Sequence, residues 1–219
     1  MSETTPVLPP TEDAPQRARR PIRALGVHVR SVVDRLAHGY LADSPSSVAA
    51  LAKLRSALGK PVGAVPEVLQ WTIAGLPEPD SGFTPVDGPS WEELASHTAI
   101  TLFAVHQQSI RDRRMNAEGR SIAAAAGVLH ARGVNPDGVT RRFEALGTAA
   151  SWDETVRHAR GLIRMLNAER IALDYGYLAD DLFDLQRGAG DQVRLRWGRD
   201  FYRTRLRPEP EAPARASAD

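Results

Sequence analysis

Residues 151–169, "SWDETVRHARGLIRMLNAE", decide the class of fold that the sequence predicts. Ser151 and Glu154 form the S-x-x-E pattern with which helices often begin, because both side chains can accept hydrogen bonds from N–H groups that the first turn leaves without partners. Apolar side chains then recur three or four positions apart, which places them on one face of a helix. They are Val156, Ala159, Ile163 and Leu166. The stretch therefore predicts an amphipathic helix.

Similar helix-start signals recur on both sides of this stretch. The expected N-cap residues are Ser44 followed by Pro45, Ser90 with Glu93, Asn135 followed by Pro136, and Asp174. Together with the apolar periodicity, these signals predict about eight or nine helices. The expected ranges are 24–42, 45–58, 65–75, 90–112, 119–132, 136–147, 152–169, 174–187 and 190–205. No segment has the alternation typical of β-strands, so the predicted fold is all-α, with the helices in two small packed bundles.

Composition divides the chain into four expected segments. Residues 1–22 and 208–219 are rich in proline, alanine and acids, and they contain too little apolar surface to offset the entropy of ordering, so we expect disordered tails there. Between the tails we expect an N-terminal helical bundle at 23–112 and a basic C-terminal helical bundle at 113–207.

Several classes of protein are excluded by composition. The 219 residues include no cysteine, which rules out disulfides, cysteine-ligated zinc, iron–sulfur clusters and thiol nucleophiles. No apolar run approaches the length of about 20 residues that a membrane span requires. The N-terminal residues lack the hydrophobic segment of a signal peptide. We therefore expect a cytoplasmic protein.

Basic charge is concentrated in the second half of the chain. Residues 1–110 contain nine lysines and arginines against eleven acids, whereas residues 111–207 contain eighteen arginines against thirteen acids. Arginine makes planar two-point contacts with phosphate and stacks on rings. High-GC genomes also favour arginine for reasons unrelated to function, so composition alone leaves both explanations open.

Helical projection gathers these arginines into stripes. Arg157, Arg160 and Arg164 share one face of the helix that starts at Ser151. In "VRLRWGRDFYRTRLR", residues 193–207, the apolar side chains point one way and four arginines another. The apolar residues are Val193, Trp197 and Phe201, and the arginines are Arg196, Arg199, Arg203 and Arg207.

Stacked like charges favour a nearby anion. Each such pair costs a few tenths of a kcal/mol unless an anion lies close by. Stripes on several helices fit extended or single-stranded nucleic acid better than one small ligand. The alternative is a solvated surface, whose charge acids such as Asp200 partly offset.

No enzyme signature stands out in the chain. H-E-x-x-H, Walker A, G-x-G-x-x-G and G-x-S-x-G motifs are all absent. His97 and His106 lie nine residues apart on one predicted helix, so their side chains point in different directions. Asp180, Asp181 and Asp184 could offer carboxylates to a metal, but pairing with arginines or a solvated acidic face is the more common role. We predict no enzyme activity, no metal site and no cofactor.

Other polar and aromatic residues favour structural roles. At the end of the apolar helix 90–112, His106, Gln107 and Gln108 are expected to cap the helix or to make internal hydrogen bonds. The four tryptophans stand at core spacing or at helix starts, which favours packing. They are Trp71, Trp91, Trp152 and Trp197.

Five blocks in order resemble one family of proteins. The blocks are "LAKLRSALGK", "TLFAVHQQS", "GRSIAAA", "TRRFEALGTAASWDETVRHARGLIRMLNAERIALDYGYLADDLFDLQ" and "VRLRWGRDFY". Over about residues 30–205 they resemble the CasB small subunit of the type I-E CRISPR Cascade complex. The resemblance implies a non-catalytic helical protein, present as two copies beside other Cascade subunits, that contacts guide RNA and target DNA and holds the displaced strand, stabilising the R-loop in antiviral defence. The alternative is an all-α DNA-binding transcriptional regulator, which binding to one specific duplex sequence would favour.

The resemblance and the arginine stripes together nominate fourteen nucleic-acid-binding residues. Those on matching family blocks are Lys53, Arg55, Arg141, Arg142, Arg160, Arg164, Arg194, Arg196 and Arg199. The arginine-rich pattern adds Arg111, Arg113, Arg114, Arg120 and Arg157. One departure from the family pattern is Ala124, where the family often has an arginine, and Arg120 is the candidate to replace it.

Overall fold

Nine α-helices joined by short connections make up the described part of the fold. The computed structural model describes residues 20–78 and 88–206. The helices are α1 Ala24–Leu41, α2 Pro45–Ala57, α3 Leu69–Thr72, α4 Trp91–His106, α5 Ile122–Ala131, α6 Pro136–Gly147, α7 Trp152–Ala168, α8 Tyr175–Gln186 and α9 Gly190–Leu206. The all-α prediction is confirmed. The predicted disordered tails lie outside the described residues, apart from residues 20–22, as does Arg207.

Local capping chemistry starts these helices at the expected places. Ser90 accepts a hydrogen bond from the N–H of Glu93 at 3.1 Å, and the Glu93 carboxylate accepts one from the N–H of Ser90 at 2.7 Å. Asn135 and Asp174 likewise accept hydrogen bonds from the first turns of α6 and α8. Helix α2 begins after Ser44 as predicted, but without a capping hydrogen bond from that side chain.

Helix α4 ends at His106 and not at residue 112, so the predicted range was too long. The side chain of Gln107 explains the end. Its Nε2 donates to the carbonyls of Ile110 and Arg113 at 2.8 and 2.9 Å, and its Oε1 accepts from the N–H of Met115 at 3.0 Å. These bonds fold the following segment into a loop, which confirms the expected internal hydrogen bonding of Gln107. The predicted helix 65–75 is also shorter, with a 3₁₀ turn at Pro66–Val68 before α3.

Two groups of helices share the hydrophobic interior. Helices α1, α4 and α8 contact one another, α2 packs on α1 and α4, and α5 contacts both α6 and α9. Helix α7 joins the groups by packing on α4 and α6, and α8 meets α9. The predicted boundary between two bundles, between residues 112 and 113, stays a prediction. Helix α8 follows that boundary in sequence and packs on α1 and α4, which precede it. None of the helices in 20–78 and 88–206 is long and apolar enough to cross a bilayer.

Glycines allow two of the helix pairs to cross at close range. A Cβ on Gly26 of α1 would lie 2.7 Å from the carbonyl oxygen of Gly176 in α8, and a Cβ on Gly176 would lie 2.6 Å from that of Gly26. In the other group, a Cβ on Gly127 of α5 would lie 2.7 Å from the carbonyl oxygen of Phe201 in α9. Both crossings therefore depend on the absence of a side chain.

Candidate nucleic-acid interface

Helix α7 carries the predicted arginine stripe. Ser151 caps it by accepting a hydrogen bond from the N–H of Glu154 at 3.2 Å, while the Glu154 carboxylate accepts from the N–H of Ala150 at 2.9 Å. The apolar face of α7 is buried against α4 and α6. An adjacent face carries three arginines at helical spacing. They are Arg157, Arg160 and Arg164.

Two cations from other elements extend this stripe. A Cβ on Gly161 would lie 2.8 Å from Nη1 of Arg142, so the guanidinium of Arg142 crosses α7 over that glycine. Gly161 follows Arg157 by four positions and therefore lies on the same side of the helix. Lys60, in the turn after α2, lines one cavity with two of the α7 arginines. We call the resulting set the α7 surface: Lys60, Arg142, Arg157, Arg160 and Arg164.

The α7 surface carries little compensating negative charge. Arg157 forms an exposed ion pair with Glu154 at 3.6 Å. Within residues 20–78 and 88–206, the guanidinium groups of Arg142, Arg160 and Arg164 form neither an ion pair nor a hydrogen bond. Exposed cations without carboxylate partners leave a positive potential at the surface. Arg142, Arg160 and Arg164 can therefore contact a polyanion without first breaking an internal ion pair.

A cavity of about 390 Å³ opens beside the α7 surface. It lies between α4, α7 and the turn after α2, where Lys60, Arg157 and Arg160 line it. Leu58 and Trp152 contribute apolar wall. His97 of α4 is buried, as expected on this apolar helix. Its side chain lines the cavity and points away from that of His106.

A second basic groove lies between α9 and residues 117–121. Its volume is about 520 Å³, and its lining includes five arginines and three acids. Arg199 and Arg203, one turn apart on α9, are exposed and have no ion pair with any described residue. Arg120 lines the same groove as Ala124, where the family pattern has an arginine. The acids make this groove less positive than the α7 surface.

Arg196 is half-buried and paired with two carboxylates. Its Nη2 donates to Asp181 at 2.8 Å and to Asp184 at 3.2 Å. Burial by itself lowers the pKa of Arg196, but the hydrogen bonds and charges of the two carboxylates raise it above its ordinary value. Asp181 also accepts from Nε1 of Trp197 at 2.7 Å and from Arg20 at 2.6 Å. The contacts of Arg196 therefore join α8 to α9.

Two further nominated arginines contact backbone carbonyls. Nε of Arg194 donates to the carbonyl of Gly147 at 2.8 Å, which joins the start of α9 to the end of α6. Nη1 of Arg120 donates to the carbonyl of Ala172 at 3.4 Å. Both guanidinium groups thus have a structural role, whatever else they bind.

The loop after α4 holds two more paired arginines. Arg111 forms an ion pair with Asp43, and its guanidinium lies 4.1 Å from the ring centre of Tyr40. Arg113 pairs with the neighbouring Asp112 at 3.2 Å. The contacts of Arg111 fasten this loop to the end of α1.

The remaining four nominated residues are spread over three elements. Lys53 on α2, Arg114 in the loop after α4 and Arg141 on α6 are exposed, and no described residue forms an ion pair with them. Arg55 on α2 is half-buried, with its Nη1 enclosed and without a hydrogen bond. The fourteen nominated residues therefore do not form one continuous surface.

The acidic residues of α8 take part in the fold. Asp181 and Asp184 pair with arginines, and Asp180 accepts a hydrogen bond from the N–H of Arg23 at 2.9 Å. Burial raises the pKa of the Asp180 carboxyl to about 6. Among the described residues, no three His, Cys, Asp or Glu side chains are grouped so that they could hold a metal ion.

Three residues at these sites were not among the fourteen nominated from the sequence. Lys60 follows the end of α2, where helical spacing no longer applies. Arg203 repeats the spacing of Arg199 and could have been nominated on that signal. His97 was considered together with His106 and set aside, because nothing near it in the sequence indicates a cavity.

Comparisons with known proteins point to one family. Residues 50–202 match the model of the family described as CRISPR-associated protein Cse2. The crystal structure of CasB from Thermobifida fusca is similar, with 30% identity, a TM-score of 0.67, and coverage of 83% of this chain and 99% of that one. A chain of a CRISPR RNA-guided surveillance complex shares the fold at 21% identity and a TM-score of 0.62, covering 83% of this chain and 95% of its own. A search of curated protein sequences gave no match.

Proposed function

The chain belongs to the Cse2 family of CRISPR-associated proteins, and from this premise we propose that it is the non-catalytic small subunit of a type I-E Cascade complex. Its basic surface binds the backbones of the guide RNA, the target DNA and the displaced strand, which stabilises the R-loop in antiviral defence. Its partners are CRISPR RNA, target DNA, the other Cascade subunits and a second copy of itself. Its place of action is the cytoplasm.

One observation carries this proposal, namely the α7 surface. Arg142, Arg160 and Arg164 converge from two helices and have no carboxylate partner among the described residues. Phosphate groups spaced along a nucleic-acid strand supply the missing negative charge at several points at once. The side chains are arginine, whose fork matches a phosphate. These features support binding to a backbone.

Because strand exchange is nearly balanced in free energy, even weak contacts to the backbone can stabilise the R-loop. An RNA–DNA hybrid is about as stable as the DNA duplex that it replaces, so modest contacts to the hybrid and the displaced strand shift the balance. Contacts to phosphates carry no sequence information. Base pairing with the guide therefore sets specificity, while the small subunit prolongs the lifetime of the paired state.

We test this role by reversing the charge at Arg142 and Arg164 together in the assembled complex. Both side chains lie outside the cavity beside α7, and Arg164 is exposed, so Arg142→Glu with Arg164→Glu should leave the fold intact. We expect an R-loop lifetime shorter by about tenfold, since each exposed contact is weak and two are replaced by repulsion. Single-molecule or filter-binding dissociation kinetics measure that lifetime.

Arg35→Glu provides the matched control. Arg35 is exposed on α1, bonded only to Ser31 at 2.7 Å among the contacts of the described residues, and distant in sequence from the α7 surface. A general effect of net charge predicts that Arg164→Glu alone and Arg35→Glu shorten the lifetime equally. That result, or an unchanged lifetime in the double variant, contradicts the proposed role of the α7 surface.

A further inference from the structure

The cavity beside the α7 surface combines three kinds of wall. Lys60, Arg157 and Arg160 place positive charge in its lining, and Asp153 is the one acid that joins them. The half-buried indole of Trp152 supplies a flat aromatic wall. His97 supplies a polar group in a part of α4 that is otherwise enclosed. The cations match the phosphate of a nucleotide, and the flat ring and the polar group match its base.

His97 is the feature that calls for a ligand. The residue is only 3% exposed, and neither ring nitrogen completes a hydrogen bond. Burial lowers the pKa of His97; the carbonyls of Ala57 and Lys60 lie near enough to offset this in part, though outside hydrogen-bond geometry. A neutral imidazole offers one donor and one acceptor. Buried polar groups are rarely left unpaired, because desolvation without a partner costs about 1–3 kcal/mol.

Arg160 shows the same lack of a partner. Its Nε is enclosed and makes no hydrogen bond with any described residue, and its side chain lines the cavity. An anion at the mouth would lie beside the guanidinium group, whose fork matches a phosphate. Arg157 and Lys60 add charge at the same place. The mouth therefore suits a phosphate, and the interior suits something flat with polar edges.

We propose that this cavity holds one unstacked nucleotide of a single nucleic-acid strand, with its base between Trp152 and His97 and its phosphate at Lys60, Arg157 and Arg160. The volume of about 390 Å³ lies within the range of pockets that bind small organic molecules. The inference rests on the proposed function, because a strand must already lie along the α7 surface. It adds a contact to a base, where the proposed function requires contacts to the backbone only.

The test compares strands with and without bases. The full chain is titrated with a fluorescein-labelled oligothymidylate of about twelve nucleotides, and with a strand of the same length in which every base is replaced by an abasic site. Wild-type protein should bind the strand with bases about tenfold more tightly, since stacking of one base on an aromatic side chain has an effect of this size. Fluorescence anisotropy reports both affinities.

Two cavity variants and one outside control identify the site. Trp152→Leu removes the flat wall, and His97→Phe fills the same space without ring nitrogens and so should not destabilise α4. Each should reduce the preference for the strand with bases to near unity. Arg164→Ala, outside the cavity, should weaken both strands equally and leave the preference unchanged. Thermal unfolding of each variant checks the fold, and His97→Phe keeps the test decisive if Trp152→Leu is unstable.

The outcomes separate this inference from the proposed function. Equal affinity of the wild-type chain for the two strands, or a preference that survives both cavity variants, overturns the nucleotide pocket and leaves the backbone contacts standing. Competition by inorganic phosphate as strong as that by thymidine monophosphate overturns it as well, since a phosphate site alone would explain the result. Failure of the proposed function appears elsewhere, as an R-loop lifetime that does not respond to reversal of Arg142 and Arg164.

Discussion

His106 is buried at the end of α4 and faces Tyr175. Its Nδ1 lies 2.9 Å from the hydroxyl oxygen of Tyr175. Burial lowers the pKa of His106 from 6.5 to about 3, although the carbonyls of Ile171 and Leu166 offset part of the effect. Burial also raises the pKa of Tyr175 well above its ordinary value. The protonated tyrosine can therefore donate its hydrogen bond to a neutral imidazole over the whole working range of pH.

This burial predicts a pH dependence of stability that His106→Phe removes. Between pH 6.5 and 3 the unfolded chain protonates His106 while the folded chain keeps it neutral, so unfolding takes up a proton. The free energy of unfolding then falls by up to about 1.4 kcal/mol for each pH unit below 6.5. Urea unfolding of wild type and variant should show their difference changing by about 2 kcal/mol between pH 7.5 and pH 5.

Wild type must be compared with His106→Phe because Asp180 has the opposite effect on the pH dependence of stability. Its raised pKa of about 6 means that the folded chain holds a proton that the unfolded chain releases above pH 3.8. Stability from this group is therefore lost as pH rises through 6. Both proteins contain Asp180, so its contribution cancels in the difference. A difference that stays constant with pH would show that His106 takes up its proton at the same pH in the folded and the unfolded chain, which contradicts the prediction.

Asp174 shows which residue-scale features the sequence could reveal. Its role as the cap of α8 is predictable, because the N–H groups of Gly176 and Tyr177 that it binds follow it directly. The same carboxylate also accepts from the N–H of Gly119 and from Arg30, each at 2.7 Å. Arg30 lies 144 positions away. Such a pairing depends on how the helices are arranged, which no local pattern encodes.

At the scale of elements, the sequence was most informative about where helices start. Starts depend on a few neighbouring side chains, and Ser90, Ser151 and Asn135 act as the patterns predict. The end of α4 was missed because Gln107 ends the helix through bonds to residues further along the loop, with no glycine or proline to mark it. Glycine and proline therefore do not predict a helix end that a long side chain forms.

The close helix crossings give a prediction at this scale. Gly26→Ala and Gly176→Ala should each destabilise the chain by about 1–3 kcal/mol, because a methyl group there would overlap the backbone of the facing helix. Gly127→Ala should have a similar effect on the packing of α5 and α9. Chemical denaturation of each variant measures the change in the free energy of unfolding.

Gly198→Ala is the matched control for these substitutions. Gly198 lies inside α9, and a Cβ there would have open space around it. Since alanine favours the helix over glycine, this variant should be more stable by about 0.5–1 kcal/mol. If Gly198→Ala and Gly176→Ala changed stability equally, the crossings would not depend on the glycines.

At the scale of the whole molecule, the arginines divide into two kinds. Arg196, Arg194 and Arg111 join elements within the described fold. Arg142, Arg164 and Arg199 have no such partners among the described residues. The sequence nominated all of them but could not separate the two kinds, because the separation depends on which carboxylates the fold brings near. The candidate interface was thus predictable as a set of arginines and not as a surface.

This division predicts the salt dependence of strand binding. Arg142→Ala and Arg164→Ala should each reduce the slope of log Kobs against log salt concentration by about 0.7 for a single strand, since each removes one phosphate contact. The loss should be the same for strands of different sequence. Anisotropy titrations of the full chain over a series of salt concentrations measure the slope. A slope that either variant leaves unchanged would remove that residue from the interface.

The pairing of α1 with α8 also sets an order of events during synthesis of the chain. Helix α1 begins at Ala24, while its partner α8 begins at Tyr175. Carboxylates at 174, 181 and 184 pair with Arg30, Arg20 and Arg23. At typical translation rates, roughly ten to thirty seconds separate the appearance of the two helices. During that interval the apolar face of α1 has only α2 and α4 to cover it. Until α8 has been made, α1 therefore offers chaperones and proteases an apolar face, and this part of the fold closes only after residue 175 has left the ribosome.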